Sequence, residues 1–282
     1  MSIDRADQSD RADRFARLHQ QGSFVIPNPW DAGTARLLTG LGFAALATTS
    51  GGLAFGAARA DGANLVGRDE TLANVAAIVA ATSLPVSADL ENGFGPEPSD
   101  VAETIRRAAA AGAVGGSVED ATGMPDAPIL PLGEAVRRVR AAVLAAAELP
   151  FPFLVTARAD NFFHGRADLP DTIRRLRAYQ DAGAHVLYAP ALPGPQVVAQ
   201  VCAAVDRPVN VLAGSSSAVT VERLAAAGAR RISLGSALAR TALSATLAAA
   251  REVADRGTFG FAERTLSYPE INDMMDRTGA KP

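Results

Sequence analysis

The feature that most constrains this chain is a punctuation that returns along it. An alanine-rich, helix-favouring stretch runs into a glycine, and a short apolar segment follows at once. It occurs at Gly40-Leu41-Gly42 before residues 43–49, at Ala111-Gly112-Ala113 before 114–119, at Ala182-Gly183-Ala184 before 185–190, and at Ala227-Gly228-Ala229 before 230–235. Glycine ends a helix because it enters the left-handed backbone region without strain. Apolar runs bounded in this way fit strands buried on both faces. Proline opens three more strands, 85–91 (PVSADLE), 152–158 (PFLVTAR) and 208–213 (PVNVLA), and 23–27 (SFVIP) brings the count to eight. Helical segments fall between them, at 31–39, 69–81, 99–111, 132–146, 168–181, 194–205, 219–227 and 236–255, with Ser99 and Asp168 placed as N-caps.

Eight alternations of strand and helix predict an α/β chain closed as a (β/α)8 TIM barrel. An open doubly wound sheet is the alternative, but no Gly-x-Gly-x-x-Gly follows the first strand. Residues 1–10 show no apolar periodicity and are expected to be a flexible N-terminus, with the barrel over 11–255. Residues 256–282, with an amphipathic stretch at 268–277, form an extra C-terminal helical segment. It either packs outside the barrel or reaches a neighbouring subunit.

Of the 282 residues 48% are hydrophobic, which supplies a core and excludes disorder of the whole chain. A formal net charge of −3 offers no basic face for nucleic acid and no polybasic membrane patch. Cys202 is the one cysteine, so no intrachain disulfide forms and a reducing compartment fits. The N-terminus is charged and lacks an apolar signal core, and no apolar run has the length of a membrane span. A cytoplasmic protein is expected.

Barrel active sites lie at the C-terminal ends of the strands. Strand three ends in Asp89-Leu90-Glu91, strand four in Glu119-Asp120, and strand five in Arg158-Ala159-Asp160. Asp89 and Glu91 are two apart on a strand and share a face. Burying like charges together is expensive, and a divalent cation relieves it. Mg²⁺ suits oxygen ligands and keeps several waters, with Mn²⁺ as an alternative. The absence of a His/Cys cluster argues against zinc. The competing reading makes these acids ordinary partners of nearby arginines. Arg158 either clamps a substrate carboxylate or phosphonate, or neutralises Glu119 or Asp160.

Ser50, Gly51 and Gly52, after Thr49, offer a hydroxyl and unhindered N–H groups, the makings of an anion-binding turn. Gly214–Ser217, after strand seven, lies where barrels bind phosphate. Tyr188 and Asn210 end strands six and seven. His164 follows strand five and could reach the mouth, whereas His19 is placed on the surface and His185 at the bottom. Cys202 reads as packing, and Trp30 as pocket wall or rim.

At these residues the chain resembles the isocitrate lyase/phosphoenolpyruvate mutase superfamily, over about Phe15 to Ala250. The matching stretches are NPWDAGTARLL, TTSGGLAFGAARADG, SADLENGFG, GSVEDATG, VTARADNFFHG and PVNVLAG. Their order and spacing together carry the signal. The resemblance implies a Mg²⁺-dependent barrel that makes or breaks a C–C or P–C bond in a 2-oxo acid. It implies Asp89 as direct metal ligand, with Glu91 and Glu119 holding metal-bound waters and Asp61 at the rim. It implies Ser50, Gly51 and Gly52 as the carboxylate-binding turn and Arg158 as the substrate arginine. It also implies a homodimer or homotetramer that exchanges the eighth helix.

One departure matters. The lyases that cleave isocitrate or methylisocitrate carry Lys-(Lys/Arg)-Cys-Gly-His after strand four, and the phosphonate-forming members use a Lys and an Asn there. Here the loop is ATGMPDAPILP, residues 121–131, without Cys, His, Lys, Arg or Asn. The expectation is a metal-dependent carbon–carbon lyase acting on a small 2-oxo acid or dicarboxylate through a metal-stabilised enolate. Oxaloacetate-like decarboxylation and retro-aldol cleavage are its two forms, and a retro-aldol needs a base from Tyr188, Asp61 or His164. A non-catalytic 2-oxo acid binding protein is the first alternative. The second is a phosphate-binding isomerase or aldolase barrel, in which Lys281, the only lysine, lies too far into the tail for Schiff-base chemistry.

Overall fold

The computed structural model describes residues 4–214 and 219–276. Its eight strands are parallel neighbours in one sheet of order β1-β8-β7-β6-β5-β4-β3-β2. They are β1 (Phe24–Ile26), β2 (Leu46–Ala47), β3 (Val86–Asp89), β4 (Gly115–Glu119), β5 (Leu154–Arg158), β6 (Val186–Tyr188), β7 (Val209–Leu212) and β8 (Arg231–Ser233). The seam between β1 and β2 is closed by Ala47 N–H donating to the Pro27 carbonyl at 3.0 Å. Asn28 clasps the seam: its Nδ2 donates to the Thr48 carbonyl, and its Oδ1 accepts from Leu234 and Gly235 N–H, each at 2.9 Å. This is the expected (β/α)8 TIM barrel.

The four glycine stops take the conformation their role demands: Gly42, Gly112, Gly183 and Gly228 have φ of +81°, +95°, +99° and +97°. Behind three of them the next N–H reaches back to close the helix end, Ala113 to Ala108, Ala184 to Tyr179 and Ala229 to Leu224. The helices so ended are α2 (Ala32–Gly40), α5 (Pro98–Ala110), α7 (Leu169–Asp181) and α9 (Val221–Ala226). The others around the barrel are α3 (Ser50–Gly56), α4 (Arg68–Ala80), α6 (Leu132–Ala147), α8 (Pro195–Ala203) and α10 (Ala237–Arg256). Asp168 caps α7 as expected, accepting from Asp171 N–H at 2.9 Å. Ser99 does not cap α5. The helix opens one residue earlier on Pro98, whose ring presets the helical φ and needs no donor there.

The N-terminus corrects two expectations. Instead of fraying over residues 4–10, the chain forms α1 (Arg5–Leu18) under the barrel. Polar side chains do the docking: Gln8 Nε2 donates to the Ala109 and Ala113 carbonyls, and Arg11 Nη1 to that of Thr82. Phe15 then plugs the barrel floor against Ile26, Val114, Leu154 and Val186. A side chain on Gly115 would begin 2.8 Å from that ring, so β4 must start with glycine. His19 is not on the surface: it is 6% exposed, edge-on to Phe15 and Phe24. Its ring seals the floor, and Nδ1–H donates to the Phe15 carbonyl at 2.8 Å. His185 is at the bottom as expected, where its Nδ1 accepts from Val155 N–H.

α10 behaves unlike the other helices of the ring. Of its twenty residues only Ala239 is buried, and Leu243 and Leu247 are about half exposed. A short 3-10 turn (Gly260–Arg264) and α11 (Tyr268–Asp276) follow. α11 lies on this chain's own α2, where Arg36 Nη1 donates to the Met275 carbonyl at 2.7 Å. Among the described residues no helix is long and apolar enough to cross a membrane.

Candidate active site

The C-terminal strand ends open onto a cavity of about 120 Å³ lined from all eight strands. Ser50, Gly51, Asp61, Asp89, Glu91, Glu119, Arg158, His164, Tyr188 and Asn210 all face it, and Gly52 is the one expected site residue that does not.

Asp89 is fixed from several sides. Its N–H donates to Thr48 Oγ1 at 2.8 Å. Its Oδ2 accepts from Ser50 N–H at 3.0 Å, and its Oδ1 from the Ser117 hydroxyl and Arg158 Nη1, both at 3.3 Å. Arg158 is the hub. Nη1 meets Glu119 Oε2 at 2.7 Å, while Nε and Nη2 make a two-point pair with Asp160 at 3.2 and 2.8 Å. Its guanidinium also stands 5.2 Å from the Tyr188 ring centre. Most of the fork is therefore turned to the protein's own acids, and Arg158 acts first as their counter-ion.

Arg158, the one arginine paired with these acids among the described residues, does not balance them: Asp61, Asp89, Glu91 and Glu119 line the cavity and Asp160 is buried behind it. Among the described residues the Glu91 side chain has no hydrogen bond or ion pair, although it is only 7% exposed. Its backbone sits at φ +46°, a strained position for a residue other than glycine. Burial, then Asp89 and Asp61, push its carboxyl up to about 8. Burial raises Glu119 well above the usual carboxylate range; Asp160, Asp89 and Glu91 add to this against the pull of Arg158. Burial and Asp89 also raise Asp61, which the Ser50 hydroxyl partly offsets.

The donor set suits a hard cation. Among the described residues no three His, Cys, Asp or Glu side chains converge into a ready cage. Asp89 and Glu91, both facing the cavity, offer the carboxylate oxygens that a hard ion taking one or two carboxylates and keeping its waters would use.

Residues Ser50–Gly52 are not a free turn. They begin α3, with Thr49 as N-cap accepting from Gly52 N–H, and the Ser50 N–H is already given to Asp89. The glycines are demanded by close approach: a Cβ on Gly51 would lie 2.8 Å from Asp61 Oδ2, and one on Gly52 2.6 Å from Trp30 Cβ. Trp30 thus packs on the rim. The phenol of Tyr188, pushed up to about 12 mainly by burial, stays protonated and is a donor at neutral pH rather than a base. His164 presents a buried Nε2 with no partner. Cys202 packs in α8 facing Gly228, its thiol raised to about 11 by burial. Of the Gly214–Ser217 run, residues 215–217 lie outside the described residues. The sequence reading missed Thr48, Ser117, Ser233 and Arg231. Arg231 and Ser233 do carry a signal: polar residues two apart in an apolar strand share one face.

A barrel whose mouth gathers acids and an arginine at the C-terminal ends of β3 to β5 has its polar residues where (β/α)8 enzymes carry their active sites. The chain belongs to the phosphoenolpyruvate phosphomutase family, whose sequence profile matches residues 15–254, within the isocitrate lyase/phosphoenolpyruvate mutase superfamily. A solved structure from Burkholderia cenocepacia, provisionally called a lyase/mutase, is 52% identical with a TM-score of 0.93, covering 97% of this chain and 98% of that one. An uncharacterised Mycobacterium tuberculosis protein is 32% identical over 263 residues, 93% of this chain and 95% of its own. The 2-methylisocitrate lyase of Escherichia coli is 30% identical over 200 residues, 69% of this chain and 66% of its own.

Proposed function

We propose that this protein is a Mg²⁺-dependent lyase that breaks the bond at C3 of a small 2-oxo acid. The observation that carries the reading is the carboxylate surplus around Arg158, with Glu91 buried and unpaired in the cavity. Asp89 would hold the ion directly, and Glu91 and Glu119 would hold its waters. Bound Mg²⁺ supplies Lewis acidity where negative charge grows on the 2-oxo oxygen. The chain's own residues supply the rest. Arg158 fixes the positions of Asp89 and Glu119 and limits their repulsion. The Ser50 hydroxyl and Asp61 define the rim, and the Tyr188 phenol offers a proton donor on the far wall. His164, whose buried Nε2 has no hydrogen-bond partner among the described residues, would be the group that takes or gives a proton once substrate is bound.

The loop over residues 121–131 has no thiol, imidazole, lysine or arginine. Cleavage of an isocitrate-type substrate, which needs an acid/base from that loop, is therefore disfavoured. Decarboxylation of an oxaloacetate-like diacid needs only the electron sink and orientation. The same empty loop favours a second reading, a 2-oxo acid binding protein with no turnover. A screen of 2-oxo diacids, hydroxy diacids and phosphonopyruvate, with product detection by NMR, separates them. Turnover of a 2-oxo diacid that stops with chelator is expected. Full turnover in chelator, or saturable oxo-acid binding without product, would overturn the lyase reading.

The exposed leucines of α10 suit burial against a second subunit, as a homodimer or homotetramer. Light scattering after gel filtration should give two or four chains per particle.

A further inference from the structure

We infer that Arg231, with Asn210 and Ser233, forms a receptor for a second carboxylate at the cavity floor, so that the substrate is a diacid and not a monoacid. This rests on the oxo-acid reading of the mouth.

The barrel register puts Arg231 in line with that mouth. Arg231 pairs with Asn210, Asn210 with Tyr188, Tyr188 with Arg158, and Arg158 with Glu119. Paired residues of parallel strands turn to the same side, and all five line the cavity. Two buried arginines thus look into one chamber from β5 and β8.

They are satisfied very differently. Arg158 meets three carboxylates. Arg231 meets neutral oxygens: its Nε donates to Asn210 Oδ1 at 2.8 Å and its Nη2 to Thr156 Oγ1 at 3.0 Å. Among the described residues its buried Nη1 has no partner, and the residue is 5% exposed. Among the described residues no carboxylate pairs with it. Burial lowers its guanidinium to about 10, which leaves it cationic at neutral pH. A buried charge with no counter-ion and an unused donor is a stability liability. A ligand anion resolves both.

The anchor on Thr156 sets the depth. Thr156 precedes Arg158 by two residues on the same face of β5, so the Arg231 head group lies about one side-chain layer, roughly 7 Å, below the Arg158 position. A ligand that engages both levels therefore needs an anionic group at each end. A guanidinium edge suits a planar carboxylate. Asn210 Nδ2 donates to Ser233 Oγ at 2.9 Å, and the Ser233 hydroxyl is engaged with the Tyr188 phenol, so Ser233 orients Asn210, whose second N–H is left at this place.

The test uses matched pairs that differ by a methyl group in place of the second carboxylate: oxaloacetate against 2-oxobutyrate, and 2-oxoglutarate against 2-oxopentanoate. Binding is measured by calorimetry and thermal shift on the full chain with Mg²⁺. The wild type should prefer at least one diacid by about tenfold or more. Arg231→Met should erase that preference, leave the monoacid affinity within about twofold, and not lower Tm, since a charge of this kind is replaceable by an apolar side chain of like volume. Arg231→Lys should keep part of the preference. Equal affinity within both pairs, a preference that survives Arg231→Met, or loss of both ligands together with a lower Tm would overturn the inference. If the wild type binds no 2-oxo acid, the reading of the mouth fails by itself. Metal-independent binding of glutarate that Arg231→Met abolishes would still support the floor receptor, and its absence would overturn that too.

Discussion

Two arginine–carboxylate clusters lie on opposite sides of the barrel wall at β4 and β5, and their charge balance differs. In the outer one Asp120 Oδ2 accepts from Arg175 Nη1 at 3.0 Å and from the Tyr179 hydroxyl at 2.7 Å. Asp171 meets Arg175 Nε at 2.9 Å and Asn161 Nδ2 at 2.8 Å, and pairs with Arg174 as well. Two acids face two arginines and a phenol, and the cluster locks α7 to the sheet. In the inner one Arg158 alone serves Asp89, Glu119 and Asp160, with Asp61 and Glu91 beside them. The closed cluster serves as scaffold; the proposed function assigns the cation and the anionic substrate to the one left short of positive charge. Glu119 and Asp120 are neighbours in sequence, yet strand alternation sends one inward and the other outward.

The largest effect is expected from the outer cluster. Arg175→Met leaves Asp120 buried beside Asp160 with no cation, and should destabilise the fold by about 3–5 kcal/mol. Chemical denaturation reads this. Turnover per folded molecule should stay unchanged; if it falls with stability intact, the outer cluster is no mere scaffold. On the inner side, Glu91→Gln should do the reverse. Stability of the metal-free protein holds or rises because a repelled acid is gone, while metal-dependent kcat/KM drops about 10–100-fold.

The smallest effect expected lies at the floor. Burial, with Arg231 next, lowers His19 to about 3, against 6.5 for an ordinary imidazole. The unfolded chain therefore takes up a proton before the folded one does. Stability from the neutral ring is complete above pH 6.5 and is lost as pH falls toward about 3. His19→Asn keeps a donor for the Phe15 carbonyl but does not titrate. Between pH 7 and pH 5 it should lose about 1–2 kcal/mol less than the wild type in denaturant titrations. Parallel acid limbs would assign the slope to carboxylates instead.

What the sequence disclosed follows from which interactions are local. Gly112 or Gly183 ends a helix by its own backbone freedom, so the barrel could be counted from such signals. Asp89, Glu119 and Arg158 end consecutive strands, so their convergence followed once the barrel was assumed, whereas Glu91, expected on the same strand face as Asp89, lies two residues past the end of β3 in a left-handed turn. Other features depend on distant parts of the chain. α1 is held by Gln8 reaching Ala109 and Ala113, which no local periodicity shows. His19 is buried because Phe15 and Phe24 meet it from two elements. Ser50 belongs to a helix start whose N–H is claimed by Asp89 from the next strand. The Arg231 contact with Thr156 crosses the barrel from β8 to β5.

Everything assigned to the mouth depends on its carboxylate excess taking up a hard cation. Titration of Mg²⁺ into chelator-treated wild type and Asp89→Asn by calorimetry tests this directly. The account predicts saturable uptake of about one ion per chain in the wild type, weakened by about tenfold or more in the variant. No saturable uptake by the wild type, or equal uptake by both, would contradict it.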